Sequence, residues 1–268
     1  MGDVVVTGPC GEGALLRHVR RGARPDVVRI DLAELTHCEP LGLVAIAAFA
    51  DRAVEHADVR VVAPRDASVA RYLSRMRLDR ALDALGVRHD LPAVREHPHD
   101  DVLLELAVFT SASDVDQLAG IVHRAVEPVA EEVASALHDS VVETGDNVPR
   151  HARRPQGYLA AQKVRQGRDL MFAVADAGVG VLATLRASGA RDAAQALELA
   201  VTDGVTETPG CSSGSGLPEV VRHLSALGGH LCLVSGDAAL TVSTCSRRVD
   251  RSPEPLPGTV LQGFVPGR

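Results

Sequence analysis

Glu143, Asn147 and His151 are spaced four residues apart in the segment Glu143-Thr-Gly-Asp-Asn147-Val-Pro-Arg-His151. Residues at this spacing share one face of a helix. The amide oxygen of Asn147 could bind Mg²⁺, a hard cation that takes oxygen ligands and keeps several waters and phosphate oxygens. The carboxylate of Glu143 could act as a general base on water or on a hydroxyl. Taken alone, the spacing is more typical of a solvated helix face.

A second segment, Asp176-Ala-Gly178-Val-Gly180, follows the apolar run FAVA. A carboxylate at the end of a strand can accept a hydrogen bond from the amino group of an adenine. The two glycines allow the backbone to turn and to approach a ligand closely. By itself the segment is more typical of a tight turn after a strand.

A third segment, Ser213-Gly214-Ser215-Gly216-Leu217, directly precedes a predicted helix. Backbone N–H groups in such a loop, together with the helix N-terminus, form an anion site suited to phosphate. A flexible linker is an equal alternative for this segment.

The elements that must position these segments follow from hydrophobic runs and capping signals. In the first half they are strands 27–32 and 59–62, both predicted to be buried, and helices 41–56, 66–76 and 79–85. In the second half they are strands 102–109, 157–164, 169–176, 230–235, 239–244 and 258–265, and helices 113–126, 128–150, 192–201 and 217–227. The polar stretch 88–101, with two prolines, marks the boundary between the halves.

Composition narrows the class of protein. The net charge is −7 and aromatic residues make up 2%, which argues against binding to nucleic acid or to an anionic membrane. No apolar run approaches the roughly 18 residues of a membrane span, and the N-terminus lacks the basic and apolar regions of a signal peptide. We therefore expect a cytoplasmic protein that binds neither nucleic acid nor membrane. The five cysteines are scattered without a zinc-binding spacing.

In this order and spacing, the three segments resemble the GHKL (Bergerat-fold) family. That family includes gyrase-type and chaperone-type ATPases, histidine kinases and anti-sigma serine kinases. Glu143–Asn147 matches the N-box, Asp176–Gly180 the first glycine box and Gly214–Gly216 the second, while Gly258-Thr259 matches a Gly-Thr in the last strand. The resemblance implies an α/β sandwich over residues 102–268 that binds ATP and Mg²⁺. The residues it implies are Glu143 as the base, Asn147 as the metal ligand, and Asn147, Asp176, Gly178, Gly180, Gly214, Ser215, Gly216, Leu217 and Thr259 around the nucleotide.

The sequence departs from the family pattern at several positions. Pro218 stands where the second glycine box often has glycine, which removes one N–H and with it a phosphate contact. Pro149 should end or kink its helix, and Gly145 is interpreted as leaving room for the nucleotide. The predicted lid, residues 189–214, offers no lysine for a γ-phosphate, and the basic cluster 150–154 is expected to be a solvated helix end.

The first half resembles a STAS domain, the fold of anti-sigma antagonists. The resemblance lies in VVRIDLAELTHCEPLGLVAI and VRVVAP. Where that family often places a phosphorylated serine, this chain has Pro40, so the resemblance implies a domain that is not phosphorylated there. We expect the domain to act as a docking surface, either for the ATP-binding half or for a partner.

The combined interpretation is an α/β protein with a STAS-like domain (residues 1–88), a linker (89–101) and a GHKL-type domain (102–268). It implies a cytoplasmic regulator similar to anti-sigma-type serine/threonine kinases, with ATP, Mg²⁺ and a regulatory protein as partners. Whether the chain is an enzyme stays open. The alternatives are a non-catalytic module in which ATP orders the lid to present a partner surface, and a GHKL ATPase. A homodimer is also left open.

Overall fold

The computed structural model describes residues 4–5, 8–10, 27–95, 102–128, 130–164, 168–204 and 216–267. Within these residues the chain is a mixed α/β protein. It has a four-stranded parallel sheet, a five-stranded antiparallel sheet and a two-stranded parallel pair. None of the helices in these ranges combines the length and the apolar character needed to cross a bilayer.

The first half supplies the parallel strands and three helices. Its strands are β1 (Val4–Val5), β2 (Gly8–Cys10), β3 (Val27–Asp31), β4 (Leu35–Cys38), β5 (Asp58–Val62) and β6 (Arg88–His89), and its helices are α1 (Pro40–Val54), α2 (Ala67–Arg75) and α3 (Leu78–Ala84). The parallel sheet has the order β1-β3-β5-β6, and β2 pairs with β4. The predicted strands and helices of this half are confirmed, whereas β1, β2, β4 and β6 are too short to have been recognised from hydrophobic runs.

Strands β3 and β5, predicted to be buried, are buried on one face only. Their residues alternate between buried and exposed, and Arg29 and Arg60 stand opposite each other in the register. Two guanidinium groups side by side require water, so this face of the sheet is open.

The second half consists of an antiparallel sheet with helices. Its elements are β7 (Val102–Phe109), α4 (Ala112–Val126), α5 (Glu131–His151), β8 (Gly157–Val164), β9 (Asp169–Asp176), α6 (Val181–Leu185), α7 (Ala193–Ala200), α8 (Gly216–Ala226), β10 (His230–Val242) and β11 (Arg247–Val265). The sheet order is β10-β11-β9-β8-β7. All helices predicted here are confirmed, and the short α6 is an addition.

The end of the chain differs from the prediction. β10 is one bulged strand through Gly236 rather than two strands, because Gly236 adopts a left-handed φ of 61° that carries the chain through the bulge. β11 begins at Arg247, so it includes the proline-rich stretch between the predicted strands 239–244 and 258–265, where no strand was predicted. Prolines are tolerated there because the register with β10 passes from Arg251 directly to Leu256 at the bulge, so residues 252–255 are not ladder partners.

Helix α1 lies between the two sheets. Thirteen of its 15 residues are buried, as expected for a helix that is apolar all round. It contacts β5 of the parallel sheet and β8, β9 and β11 of the antiparallel sheet. The antiparallel sheet presents small side chains to it, which permits close approach; they are Ala160, Ala173 and Ala175. The first and second halves therefore share one hydrophobic core.

The opposite face of the antiparallel sheet carries larger side chains, including Leu159, Phe172 and Val174, and packs against α4, α5 and α8. Because both faces are covered, β8 and β9 read as continuous apolar runs rather than as alternating ones. This second helical layer contains α5, which carries Glu143 and Asn147, and α8, which begins at Gly216.

Candidate functional site

Asp176 ends β9 as a buried carboxylate, with 6% of its surface exposed. The Gly178 amide donates to its Oδ1 at 2.7 Å, and Thr259, its partner across the register in β11, hydrogen-bonds to it. Burial raises the pKa of Asp176 to about 6, and the bonds from Gly178 and Thr259 oppose that rise. A carboxylate has about four acceptor positions, so Asp176 can accept from a further donor such as an adenine amino group.

Glycines lie in the turn after Asp176 and opposite it in β11, where a Cβ would force the backbone to shift. A Cβ on Gly178 would lie 2.2 Å from the Ala152 carbonyl oxygen, and one on Gly258 would lie 2.0 Å from the Asp176 carbonyl oxygen. Gly180 has a φ of 76°, in the left-handed region. The glycines predicted to give a ligand access are thus also required for backbone packing around Asp176.

Ser235 of β10, which the sequence did not single out, ties this turn to the sheet. Its Oγ donates to the Gly258 carbonyl at 2.7 Å and accepts from the Val181 amide at 3.1 Å. Ser235 thereby fixes the start of α6 against β11. No local signal distinguishes it from other strand serines, since its role depends on contacts with residues far away in the sequence.

Glu143 lies half-buried on α5 and faces the start of α8. A Cβ placed on Gly216 would be 3.4 Å from Glu143 Oε1, so the structure brings these two predicted site residues together. Partial burial raises the pKa of Glu143; Arg150 opposes the rise, and the carboxylates of Asp146 and Glu219 add to it. A carboxylate with a raised pKa is a stronger base near neutral pH.

Asn147 is half-buried one turn after Glu143, on the same face of α5. The preceding residue, Asp146, has a buried Oδ1 without a hydrogen-bond partner, while its Oδ2 is 3.4 Å from Arg150. Among the described residues, no group of three or more His, Cys, Asp or Glu side chains could by itself hold a metal ion. A cation at Asn147 would therefore depend on oxygen atoms of a ligand and of water.

Two features of α5 differ from expectation. Gly145 does not leave room for a ligand, because a Cβ there would lie 2.5 Å from Val115 Cγ1 of α4; the glycine serves helix–helix packing. The helix also runs through Pro149 to His151 rather than ending at the proline. Pro149 has no N–H to donate to the carbonyl one turn earlier, yet the helix continues past it, and the Ala152 N–H donates to the Val148 carbonyl at the helix end.

The second glycine segment is only partly visible. Gly214 and Ser215, with the part of the predicted lid from residue 205 onwards, lie outside the described residues. Gly216 and Leu217 open α8, and Pro218 is buried in its first turn. Proline is suited to that turn because N–H groups there have no partner within the helix.

The role of Arg154 was not predicted from the sequence. Instead of ending a helix in solvent, it pairs with Asp51 of α1 at 2.9 Å and with Glu55 of the same helix, and only 19% of its side chain is exposed. Its positive charge lowers the pKa of Asp176, against the larger effect of burial. The sequence carried no signal for this pairing, since Asp51 and Arg154 are 103 residues apart.

No family model and no curated protein matches this chain.

Proposed function

We propose that this protein binds ATP and Mg²⁺ in a GHKL-type pocket formed by α5, the Asp176–Gly180 turn and the start of α8. The observation that carries the proposal is Asp176, a buried carboxylate with spare acceptor capacity at the end of a strand. Such an acceptor suits the adenine amino group. The antiparallel sheet with α4, α5 and α8 on one face is consistent with the α/β sandwich that the resemblance implies. The first half is consistent with a STAS-like domain.

The residues fit the proposed ligands. Asp176 and Thr259 would hold the adenine, and the first-turn N–H groups of α8, at Gly216 and Leu217, which lack a partner within the helix, would meet phosphate. Asn147 would hold Mg²⁺ together with oxygen atoms of the phosphates and of water. Bound Mg²⁺ would neutralise charge on the phosphates.

We further propose a regulatory role similar to that of anti-sigma-type serine/threonine kinases. Support for catalysis comes from Glu143, whose carboxylate faces Gly216 and has a raised pKa. It would accept the proton of a hydroxyl or of water. The alternative, a module that binds ATP without turnover, is favoured by the absence of lysine from residues 189–214.

The first half would contribute regulation rather than a phosphorylation site. Pro40 has no hydroxyl, and it is buried in the first turn of α1, so the position is also closed to a kinase. We propose a cytoplasmic protein with a regulatory protein partner, and leave a homodimer open.

The direct test is ATP binding by Asp176→Asn, measured by calorimetry with Mg²⁺. Losing a hydrogen bond to a charged acceptor should weaken binding roughly ten- to a hundredfold. Asp169→Asn is the matched control, because Asp169 is also 6% exposed and lies at the other end of β9, where its Oδ1 accepts from the Gly267 amide. Equal affinities in wild type and in folded Asp176→Asn would refute the adenine assignment.

A further inference from the structure

The segment 152–157, here called the connector, joins α5 to β8 and touches α1 at a buried acidic residue. Asp51 is 4% exposed and accepts hydrogen bonds on both carboxylate oxygens, from Arg154 at 2.9 Å and from Gln156 at 3.0 Å. The Gln156 amide also donates to the Tyr158 hydroxyl at 2.8 Å. One carboxylate of the first half therefore holds two side chains of the connector.

The connector also contacts the turn that carries Asp176. The Val179 amide donates to the Ala152 carbonyl at 3.2 Å. At its other end the connector leads into Gly157, which is the register partner of Asp176 in the sheet. Between these contacts Arg153 has a left-handed φ of 55°, an uncommon conformation for a residue with a side chain, which directs the chain back towards α1.

The conformation of Arg153 is held by its surroundings rather than by its own preference. A non-glycine residue in the left-handed region persists when neighbouring contacts outweigh its cost. Here the flanking residues are anchored on both sides, Ala152 to the Val179 amide and Arg154 to Asp51. Loss of the Asp51 carboxylate would leave Arg154 held by Glu55 alone and would remove the acceptor of Gln156, so the connector could relax away from the turn.

We propose that Asp51 is a positioning residue for the nucleotide: through Arg154 and the connector it holds the Asp176–Val179 turn, so that α1 sets the affinity for ATP. The inference rests on the proposed function. It gives the first half a defined effect on the second, because any partner that shifts the end of α1 would shift the connector with it.

Charged groups of α1 and of the connector link Asp51 to Asp176. Asp176 accepts from two neutral donors, Thr259 and the Gly178 amide, and the positive charge of Arg154 in the connector lowers its pKa. Arg154 in turn faces Asp51 and Glu55 of α1. Removing the Arg154 charge should therefore make the Asp176 carboxylate harder to ionise.

The first experiment compares ATP binding by calorimetry in wild type, Asp51→Asn and Glu34→Gln, all as full chains. Mutations along such a coupling should change affinity roughly five- to thirtyfold, and we expect Asp51→Asn to bind ATP that much more weakly. Glu34→Gln removes an exposed ion pair of the same half, with Arg65, and should bind like wild type. Wild-type affinity in folded Asp51→Asn would overturn the proposal.

A second experiment uses Arg154, and it also applies should Asp51→Asn not fold. Arg154→Gln should move the pH midpoint of ATP binding upwards, whereas Arg154→Lys, which keeps the charge, should leave the midpoint in place while weakening binding. A residue that merely stabilised the fold would not separate these two variants. Identical midpoints in both variants would contradict the proposal.

Hydrogen exchange without ATP separates this inference from the proposed function. The Val179 amide should exchange faster in Asp51→Asn than in wild type, and at an unchanged rate in Glu34→Gln. If wild type binds no ATP but Val179 responds in this way, the proposed function fails and the coupling stands. Unchanged exchange at Val179 in Asp51→Asn would refute the coupling itself.

Discussion

At the scale of single residues, the buried carboxylate of Asp176 makes ATP binding depend on pH. Its pKa is about 6, and the adenine amino group needs the ionised form as acceptor. Affinity should therefore fall as the pH drops through about 6, approaching about tenfold per pH unit once the acid form dominates. Calorimetry across pH 5 to 8 measures this. Asp176→Asn should keep only the pH dependence that comes from titration of the nucleotide, so the difference between the two proteins isolates the effect of Asp176.

Without ATP, the same residue affects stability in the opposite sense. The folded pKa lies above the ordinary value of 3.8, so between about pH 6 and that value the folded chain binds a proton that the unfolded chain does not. The contribution of Asp176 to the free energy of unfolding consequently increases on acidification through this window and falls again as the pH rises.

Glu143 tests whether the protein turns over ATP. If it is the base, Glu143→Gln should reduce phosphate release or transfer by about 10²- to 10⁴-fold and leave ATP affinity largely intact. Glu219→Gln is the control. Glu219 only adds to the raised pKa of Glu143, so this variant should retain turnover. Undiminished turnover in Glu143→Gln would place the base elsewhere, and no turnover in wild type, alone or with its partner, would favour the binding module.

At the scale of elements, the contact between α4 and α5 depends on Gly145. Gly145→Ala would place a Cβ 2.5 Å from Val115 Cγ1, and such overpacking should lower the free energy of unfolding by about 1–3 kcal/mol. Gly120→Ala in the middle of α4 meets only the mobile end of Arg124, at 3.2 Å, and should instead raise stability by about 0.5–1 kcal/mol. Urea unfolding distinguishes the two signs, and Val115→Ala should restore stability to Gly145→Ala.

At the scale of the whole molecule, α1 makes the two halves one folding unit. Without the first half, the antiparallel sheet would expose a face that includes Tyr158, Ala173 and Val234. We therefore expect a single thermal transition, with calorimetric and van't Hoff enthalpies that agree. Two resolved transitions would show that the halves fold separately and that the shared core contributes little.

The sequence by itself determined the elements and the chemistry that is local to them. Periodicity and caps predicted most helices and strands, because each depends on residues within a few turns. The position of Asp176 at the end of a strand and the spacing of Glu143 and Asn147 were readable for the same reason. Proline and glycine signals were less reliable: Pro149 did not end its helix, and the proline-rich stretch of β11 is a strand.

Only the tertiary structure decided which faces meet. The Leu41 amide donates to Gln262 Oε1 across 221 residues of sequence, and Arg154 finds Asp51 across 103. No local pattern specifies such partners, because a buried ion pair or cap depends on the relative placement of whole layers. The same holds for Gly145. Its sequence context is compatible with a nearby nucleotide or a neighbouring helix, and the position of α4 shows that it serves packing.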